Sequence, residues 1–224
     1  MTRRLLITRP AEDNAALAGK LAALGIEAIS SPLTVIERQA YAVPATAPEG
    51  ILLTSRHAAY ACADFRDVPL YVVGAQTAEA AKAQGCRDIR TVAADAAQLL
   101  SQIPPIRRLV YLSGEHIRFD FATALPHTQV ERIVVYAAHA AEALTPEAVT
   151  ALHDGSLKGV AFYSPRSAAI FHRLAAGVDT SALTAYCLSP AIAETCREPG
   201  KWRHAETAEQ PDQEAMLHLL AHAK

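Results

Sequence analysis

Two Ser/Arg pairs at the ends of apolar runs are the first sign of chemistry in this chain. In TSRHAA (54–59) Ser55 and Arg56 stand where a run of buried character stops and a helix begins. In YSPRSAA (163–169) Ser164 and Arg166 hold the matching places. The serine is suited to capping the helix that follows. A cation in the first turn works against the helix dipole, at a cost of about 0.3–1 kcal/mol, so its repetition points to an anion lodged above each helix N-terminus. GAQTA (74–78) adds Gly74 for close backbone approach and Thr77 as a cap or hydroxyl donor. In its counterpart SPAIA (189–193), Ser189 replaces the glycine and Ile192 the threonine. Arg9 in TRP (8–10), and Gly114 with Arg118 in SGEHIRFDF (113–121), bring a further turn and two more cations to strand ends. Charge-assisted hydrogen bonds contribute about 1.5–3 kcal/mol each. Four to six of them would hold a polyanion with no metal and no cofactor.

Other chemistries leave no trace. There is no GxGxxG, GxxxxGK[ST], GxSxG or HExxH, and the nine histidines are scattered. Ser55 and His57 make no dyad, because side chains two apart on a helix point in different directions. Cys62, Cys86, Cys187 and Cys196 form no CxxC and read as small buried side chains in a reducing compartment. With 21 basic and 23 acidic residues the net charge is −2, which argues against a general nucleic-acid binder. MTRRLLITRP passes straight into a strand without the apolar core of a signal peptide. The longest uncharged stretch, from Thr180 to Glu194, is too short and too polar to span a bilayer. These features predict a soluble cytoplasmic protein with no membrane or nucleic-acid partner, and nothing in them demands more than a monomer.

The elements that must carry these residues are short apolar runs ending in Thr, Ser, Gly, Pro or Arg. They come round twice in the same order: 3–10, 51–59 and 71–80, then 107–115, 160–169 and 185–194. Such a run reads as a buried parallel strand, and its polar end is where ligands bind in open α/β sheets. Strands are predicted at 4–8, 27–31, 50–54, 70–74, 88–92, 108–112, 159–163 and 184–188. Helices are predicted at 12–24 (capped by Asp13 or Asn14), 77–84 (capped by Thr77), 146–153 and 212–222. LTVIE (33–37) and VERIVVYAA (130–138) break the alternation and read as connecting strands. The predicted layout has one lobe from 1–35 with 138–224, a second lobe over 38–132, and connectors at about 33–38 and 130–138. The polar rims of the two lobes are expected to face a common cleft.

In order and spacing these residues resemble the uroporphyrinogen-III synthase family. The resemblance runs through TRP at the first strand end, Pro32 to Glu37, TSRHA, VVGAQTA followed by Gly85, Gly114 with Arg118, VVY at 134–136 and YSPRSA. It implies an α/β fold of two flavodoxin-like parallel-sheet lobes joined by a two-stranded connector. It also implies the reaction: hydroxymethylbilane, a linear tetrapyrrole with eight carboxylates, loses its hydroxyl as water and closes through a spiro intermediate, so that ring D is inverted. Ser55, Arg56, Gly74, Thr77, Ser164, Arg166 and Ser189 would then face the substrate, beside Arg9, Gly114 and Arg118. Tyr136 would assist departure of the hydroxyl. Two alternatives stay open at this level: a non-catalytic bilobal receptor for a small anion, and a flavodoxin-like flavin carrier. Against the flavin carrier stand the lack of a Ser/Thr/Gly-rich loop after the first strand and of a flanking aromatic pair.

Overall fold

A computed structural model describes residues 3–197 and 202–222. The chain divides into two units, Met1–Val35 with His139–Lys224 (unit 1) and Ile36–Ala138 (unit 2). In unit 1, β1 (Arg3–Ile7), β2 (Ile26–Ser30), β9 (Leu157–Phe162), β10 (Thr184–Cys187) and β11 (His204–Thr207) form a sheet ordered β11-β10-β9-β1-β2. Every pair in it is parallel. Alternate residues of each strand feed opposite faces. Leu5 and Ile7 pack with Leu17 of α1 (Ala11–Ala23) and Met216 of α8 (Gln213–His222). Leu6, Val160 and Phe162 pack with α5 (Pro146–His153), α6 (Pro165–Leu174) and α7 (Pro190–Arg197). Coverage on both faces is why these strands read as unbroken apolar runs.

Unit 2 holds β3 (Thr34–Arg38), β4 (Gly50–Leu53), β5 (Leu70–Val73), β6 (Ile89–Ala93), β7 (Arg108–Gly114) and β8 (Gln129–Ala140), ordered β3-β8-β7-β4-β5-β6. The strands from β8 to β6 run parallel. A 3-10 helix (Arg56–Phe65) and α2 (Ala75–Ala83) cover the face bearing Ile51 and Leu53. Leu99 of α3 (Ala96–Gln102) and Phe121 of α4 (Phe121–Ala124) cover the face bearing Leu52 and Tyr111.

Taken in order of appearance within unit 1, the strands lie 2-1-3-4-5, the flavodoxin-like order. The five parallel strands of unit 2 have the same layout entered at a different point: β7, β8, β4, β5 and β6 hold the places of β1, β2, β9, β10 and β11. The twofold pattern in the sequence is therefore spatial. Each linear pass begins in one unit and ends in the other, yet its members pair by sheet position, β1 with β7, β4 with β9 and β5 with β10.

Several local expectations are corrected. The segment after Thr54 is a 3-10 helix. α1 begins at Ala11 after Pro10 with no side-chain cap; Asn14 instead accepts from the Arg9 N–H (3.0 Å) and donates to the Ile7 carbonyl (3.0 Å) and the Ser30 hydroxyl (2.9 Å), tying β1 to β2. α2 begins at Ala75 with Gly74 at its N-cap, so Thr77 lies inside the first turn and caps nothing. β8 is more than a connector, pairing with β7 from Arg108↔Gln129 to Gly114↔Tyr136. β11, α3 and α4 were not foreseen. All four cysteines are buried with free thiols. Among the described residues no helix is long and apolar enough to cross a membrane.

Candidate functional site

In unit 2 the strand order reverses between β7 and β4, and a crevice opens outside the carboxyl ends of strands at such a point. Here it is a cavity of about 660 Å³. Thr54 and Ser55 enter it from the end of β4, Tyr111 and Gly114 from β7, Arg118 from the segment after β7, and Tyr136 from β8. Of the residues singled out from sequence, Ser55, Gly114, Arg118 and Tyr136 are thus brought together. Arg56, Gly74 and Thr77 are not in the lining. Arg56 opens the 3-10 helix half-buried, and Thr77 is buried within α2.

Tyr136 is placed by its neighbours on β7. The β7–β8 register shifts between Ser113 and Gly114, and the Glu115 N–H donates to the Tyr136 carbonyl (2.9 Å). The Tyr136 ring lies where a side chain on Gly114 would start: an ideal Cβ there would be 2.6 Å from Tyr136 Cζ. His57 meets that ring edge-on, with centroids 5.7 Å apart at 60°. The Tyr136 hydroxyl takes no hydrogen bond from the protein among the described residues, although it borders the cavity.

Sequence reasoning missed a hydroxyl pair at the cavity. Tyr111 sits inside the apolar run 108–112 and reads as core, but its hydroxyl lies 2.8 Å from Thr54 Oγ1 at the cavity wall. Burial pushes the Tyr111 phenol above its ordinary value and nearby Tyr136 adds to this, while the Thr54 hydrogen bond and the Arg132 cation oppose it. The phenol is therefore neutral at physiological pH and keeps a proton to donate. Phe119 also lines the cavity, packed on Phe121 (4.7 Å between centroids), which in turn meets Tyr111 edge-on (5.3 Å). With Tyr111, Phe119 and Tyr136 in its wall the crevice is aromatic, contrary to the expectation from sequence. The one carboxylate in the lining, Asp95, accepts the Gln98 N–H (2.8 Å) as the cap of α3.

The equivalent edge of unit 1 is built differently. At its reversal point, between β1 and β9, the Arg9 guanidinium bonds to Asp13 (3.0 Å) and Gln213 (2.8 Å) and lies 4.5 Å above the Tyr163 ring. Arg9, expected to meet a ligand, spends these donors inside its own unit. Ser164 caps α6: its Oγ accepts the Ser167 N–H (3.1 Å), and the Ser167 hydroxyl donates to the Ser164 carbonyl (2.8 Å). Arg166 stands exposed in the first turn of α6, and Ser189 precedes Pro190 at the start of α7. A second cavity of about 570 Å³, beside β11 and α8, is lined by Glu206, Glu209, Asp212 and Glu214 with His218 and His222. Its acidity suits no polyanion.

The sequence model of the uroporphyrinogen-III synthase (HemD) family matches residues 15–218. Among solved structures, the chain resembles uroporphyrinogen-III synthetase from Helicobacter pylori, with a TM-score of 0.65 at 17% identity over 99% of this chain and 100% of that one. It also resembles a mutant uroporphyrinogen III synthase from the extremely thermophilic bacterium Thermus thermophilus, with a TM-score of 0.51 at 16% identity over 97% of each chain. No curated protein sequence matches. At these identities the two structures speak for the bilobal α/β fold. The family match speaks for more.

Proposed function

This chain belongs to the uroporphyrinogen-III synthase family, whose members close linear hydroxymethylbilane to uroporphyrinogen III with inversion of ring D and loss of water, and we propose that its unit 2 cavity holds the reacting end of that substrate. The observation that carries this reading is the setting of Tyr136. Its ring is wedged against Gly114, and its hydroxyl borders a cavity that also presents Arg118, Ser55 and the Thr54–Tyr111 pair.

In this reading the Tyr136 hydroxyl gives its proton to the departing hydroxyl. The C–O bond breaks, water leaves, and the pyrrole nitrogen supplies the electron pair that makes the terminal carbon an azafulvene electrophile. Attack by the substituted α-carbon of ring D gives the spiro intermediate; the bond from that carbon to the ring C methylene breaks, the methylene rejoins at the free α-carbon of ring D, and the tyrosinate recovers the proton that this carbon loses. Arg118 and the hydroxyl donors neutralise substrate carboxylates and hold the chain in one conformation. Catalysis is then mostly positioning and charge stabilisation. Arg56, Gly74 and Thr77 in unit 2, and Arg9, Ser164, Arg166 and Ser189 in unit 1, are proposed as further carboxylate contacts. Of these in unit 1, the Arg9 and Ser164 groups already have protein partners, whereas Arg166 stands exposed. The near-balanced charge of −2 supports action on a small molecule without a nucleic-acid partner, and the protein is proposed to act as a monomer in the cytoplasm.

The test is Tyr136→Phe supplied with freshly made hydroxymethylbilane, with porphyrin isomers resolved at each time point. kcat is expected to fall at unchanged KM, with the symmetrical isomer rising as uncatalysed closure competes. A variant with wild-type kcat would remove Tyr136 from the mechanism. Arg56→Ala and Arg166→Ala are each expected to weaken binding by about 1–3 kcal/mol. Abolished activity in either folded variant would contradict a site spread over many donors.

A further inference from the structure

Arg132 lies on β8 four residues before Tyr136, paired with Tyr111 of β7. Its guanidinium is spent on the turn that ends β7. Nε donates to Ser113 Oγ (2.9 Å), and Nη2 donates to the carbonyl oxygens of Gly114 (2.7 Å) and Glu115. The same three residues carry the register shift opposite Tyr136, the glycine on which its ring rests, and the N–H that holds its carbonyl. Such a turn leaves carbonyls pointing outward without ladder partners, and a planar fork of donors satisfies several at once.

From this juxtaposition we infer that Arg132 is a positioning residue for the cyclisation: it fixes the Ser113–Glu115 turn, and through Gly114 the place of the Tyr136 hydroxyl. The inference rests on the catalytic reading of Tyr136. An exposed arginine on a surface turn adds little stability when it makes only an ion pair. Arg132 instead makes three bonds into the backbone and side chain of one turn, next to the one tyrosine whose location matters. A lysine has a single charged nitrogen and cannot reproduce the fork.

The experiment measures kcat, KM and the isomer ratio for Arg132→Met, Arg132→Lys, Tyr136→Phe and the double variant Arg132→Met/Tyr136→Phe, each checked for folding by its melting curve. Arg132→Met is expected to lower kcat by about 10–100-fold, the cost of a small misplacement of a reacting group, with KM nearly unchanged and more symmetrical isomer. Arg132→Lys is expected to fall between it and wild type. In the Tyr136→Phe background, Arg132→Met is expected to add almost nothing, because the group it positions is already gone. Should Arg132→Met fail to fold, Arg132→Lys is placed in the same cycle. A full, additive loss in the Tyr136→Phe background would overturn the inference, as would a rise in KM alone, which would make Arg132 a direct carboxylate contact. Wild-type kcat in Arg132→Met beside a slow Tyr136→Phe overturns the positioning role while sparing the catalytic one. Wild-type kcat in Tyr136→Phe overturns both.

Discussion

Gly114 and Tyr136 occupy each other's space. An ideal Cβ on Gly114 would stand 2.6 Å from Tyr136 Cζ, 2.8 Å from Cε2 and 2.9 Å from the hydroxyl oxygen, while the backbone of Gly114 pairs with that of Tyr136 across the β7–β8 ladder. The glycine is required here by packing, since its φ is not positive. Gly114→Ala must push the phenol aside or part the strands. Either route costs about 1–3 kcal/mol of stability by overpacking. The expected outcome is a folded protein with slightly lower Tm and severely reduced kcat. Turnover at the wild-type rate would mean that the ring has no fixed working place.

The two helix starts on equivalent strands make a contrasting pair. Gly74 has φ +86° and ψ 133°, close to a region that only glycine enters without strain. The nearest atom to an added Cβ would be Thr77 Oγ1 at an unstrained 3.6 Å, so the demand is conformational and not one of close approach. Ser189, its counterpart, has ordinary negative φ. Gly74→Ala is therefore expected to cost about 1–3 kcal/mol. Ser189→Gly should relieve no strain and should cost about 0.5–1 kcal/mol through added freedom of the unfolded chain. Urea titrations of both variants check the pair. A stabilised Ser189→Gly would mean that the serine is strained after all.

This contrast also shows how far the sequence reaches. The α/β class and the matched helix starts are legible because a parallel strand covered on both faces must be an unbroken apolar run, and its end must be polar. The order of strands is not legible. Nothing in the composition of RRLLITRP or ILLTSRHAA tells where in its sheet each strand lies, since any strand covered on both faces reads as the same apolar run. At the unit 2 cavity, Ser55, Gly114, Arg118 and Tyr136 are legible because they sit at polar breaks or match the family's pattern. Tyr111 escaped because it lies inside a buried run and shows its hydroxyl only through Thr54. Arg132 escaped because an arginine within a strand reads as solvated surface until its three acceptors are seen. Arg9 is the reverse case: a cation at a strand end reads as open to a ligand, and the fold also gives it Asp13 and Gln213 as partners.

Ser55 and Ser164 begin equivalent helices but do unequal structural work. Ser164 accepts from the N–H three residues on at 3.1 Å, and Ser167 returns a bond to its carbonyl. Among the described residues Ser55 accepts from the His57 N–H, at 3.3 Å, at the start of a 3-10 helix. Ser164→Ala is expected to cost about 1 kcal/mol, lowering Tm by about 2–4 °C. Ser55→Ala is expected to leave Tm nearly unchanged and to raise KM, since its hydroxyl borders the cavity. Calorimetry paired with steady-state kinetics separates the two effects. An unchanged KM in Ser55→Ala would leave that hydroxyl with no part in binding.

Tyr163 carries a pH dependence that isolates the filled edge of unit 1. Its hydroxyl is buried without a hydrogen-bond partner among the described residues, and its ring lies under the Arg9 guanidinium. Burial pushes the phenol up to about 12 from its ordinary 10, with the Arg9 cation pulling the other way. A raised value in the folded state means that the folded protein holds this proton more tightly than the unfolded chain does. The stability it confers is present in full below pH 10 and is lost as pH rises toward 12, by about 2–3 kcal/mol at roughly 1.4 kcal/mol per unit. Tyr163→Phe keeps the ring beneath Arg9 and removes both the ionisation and the unpartnered hydroxyl. Near neutrality it is expected to equal wild type or exceed it by about 1 kcal/mol, and in urea titrations between pH 10 and 12 its advantage should widen steadily. A gap that stays constant across that range would mean that Tyr163 ionises in the folded protein as readily as in the unfolded chain.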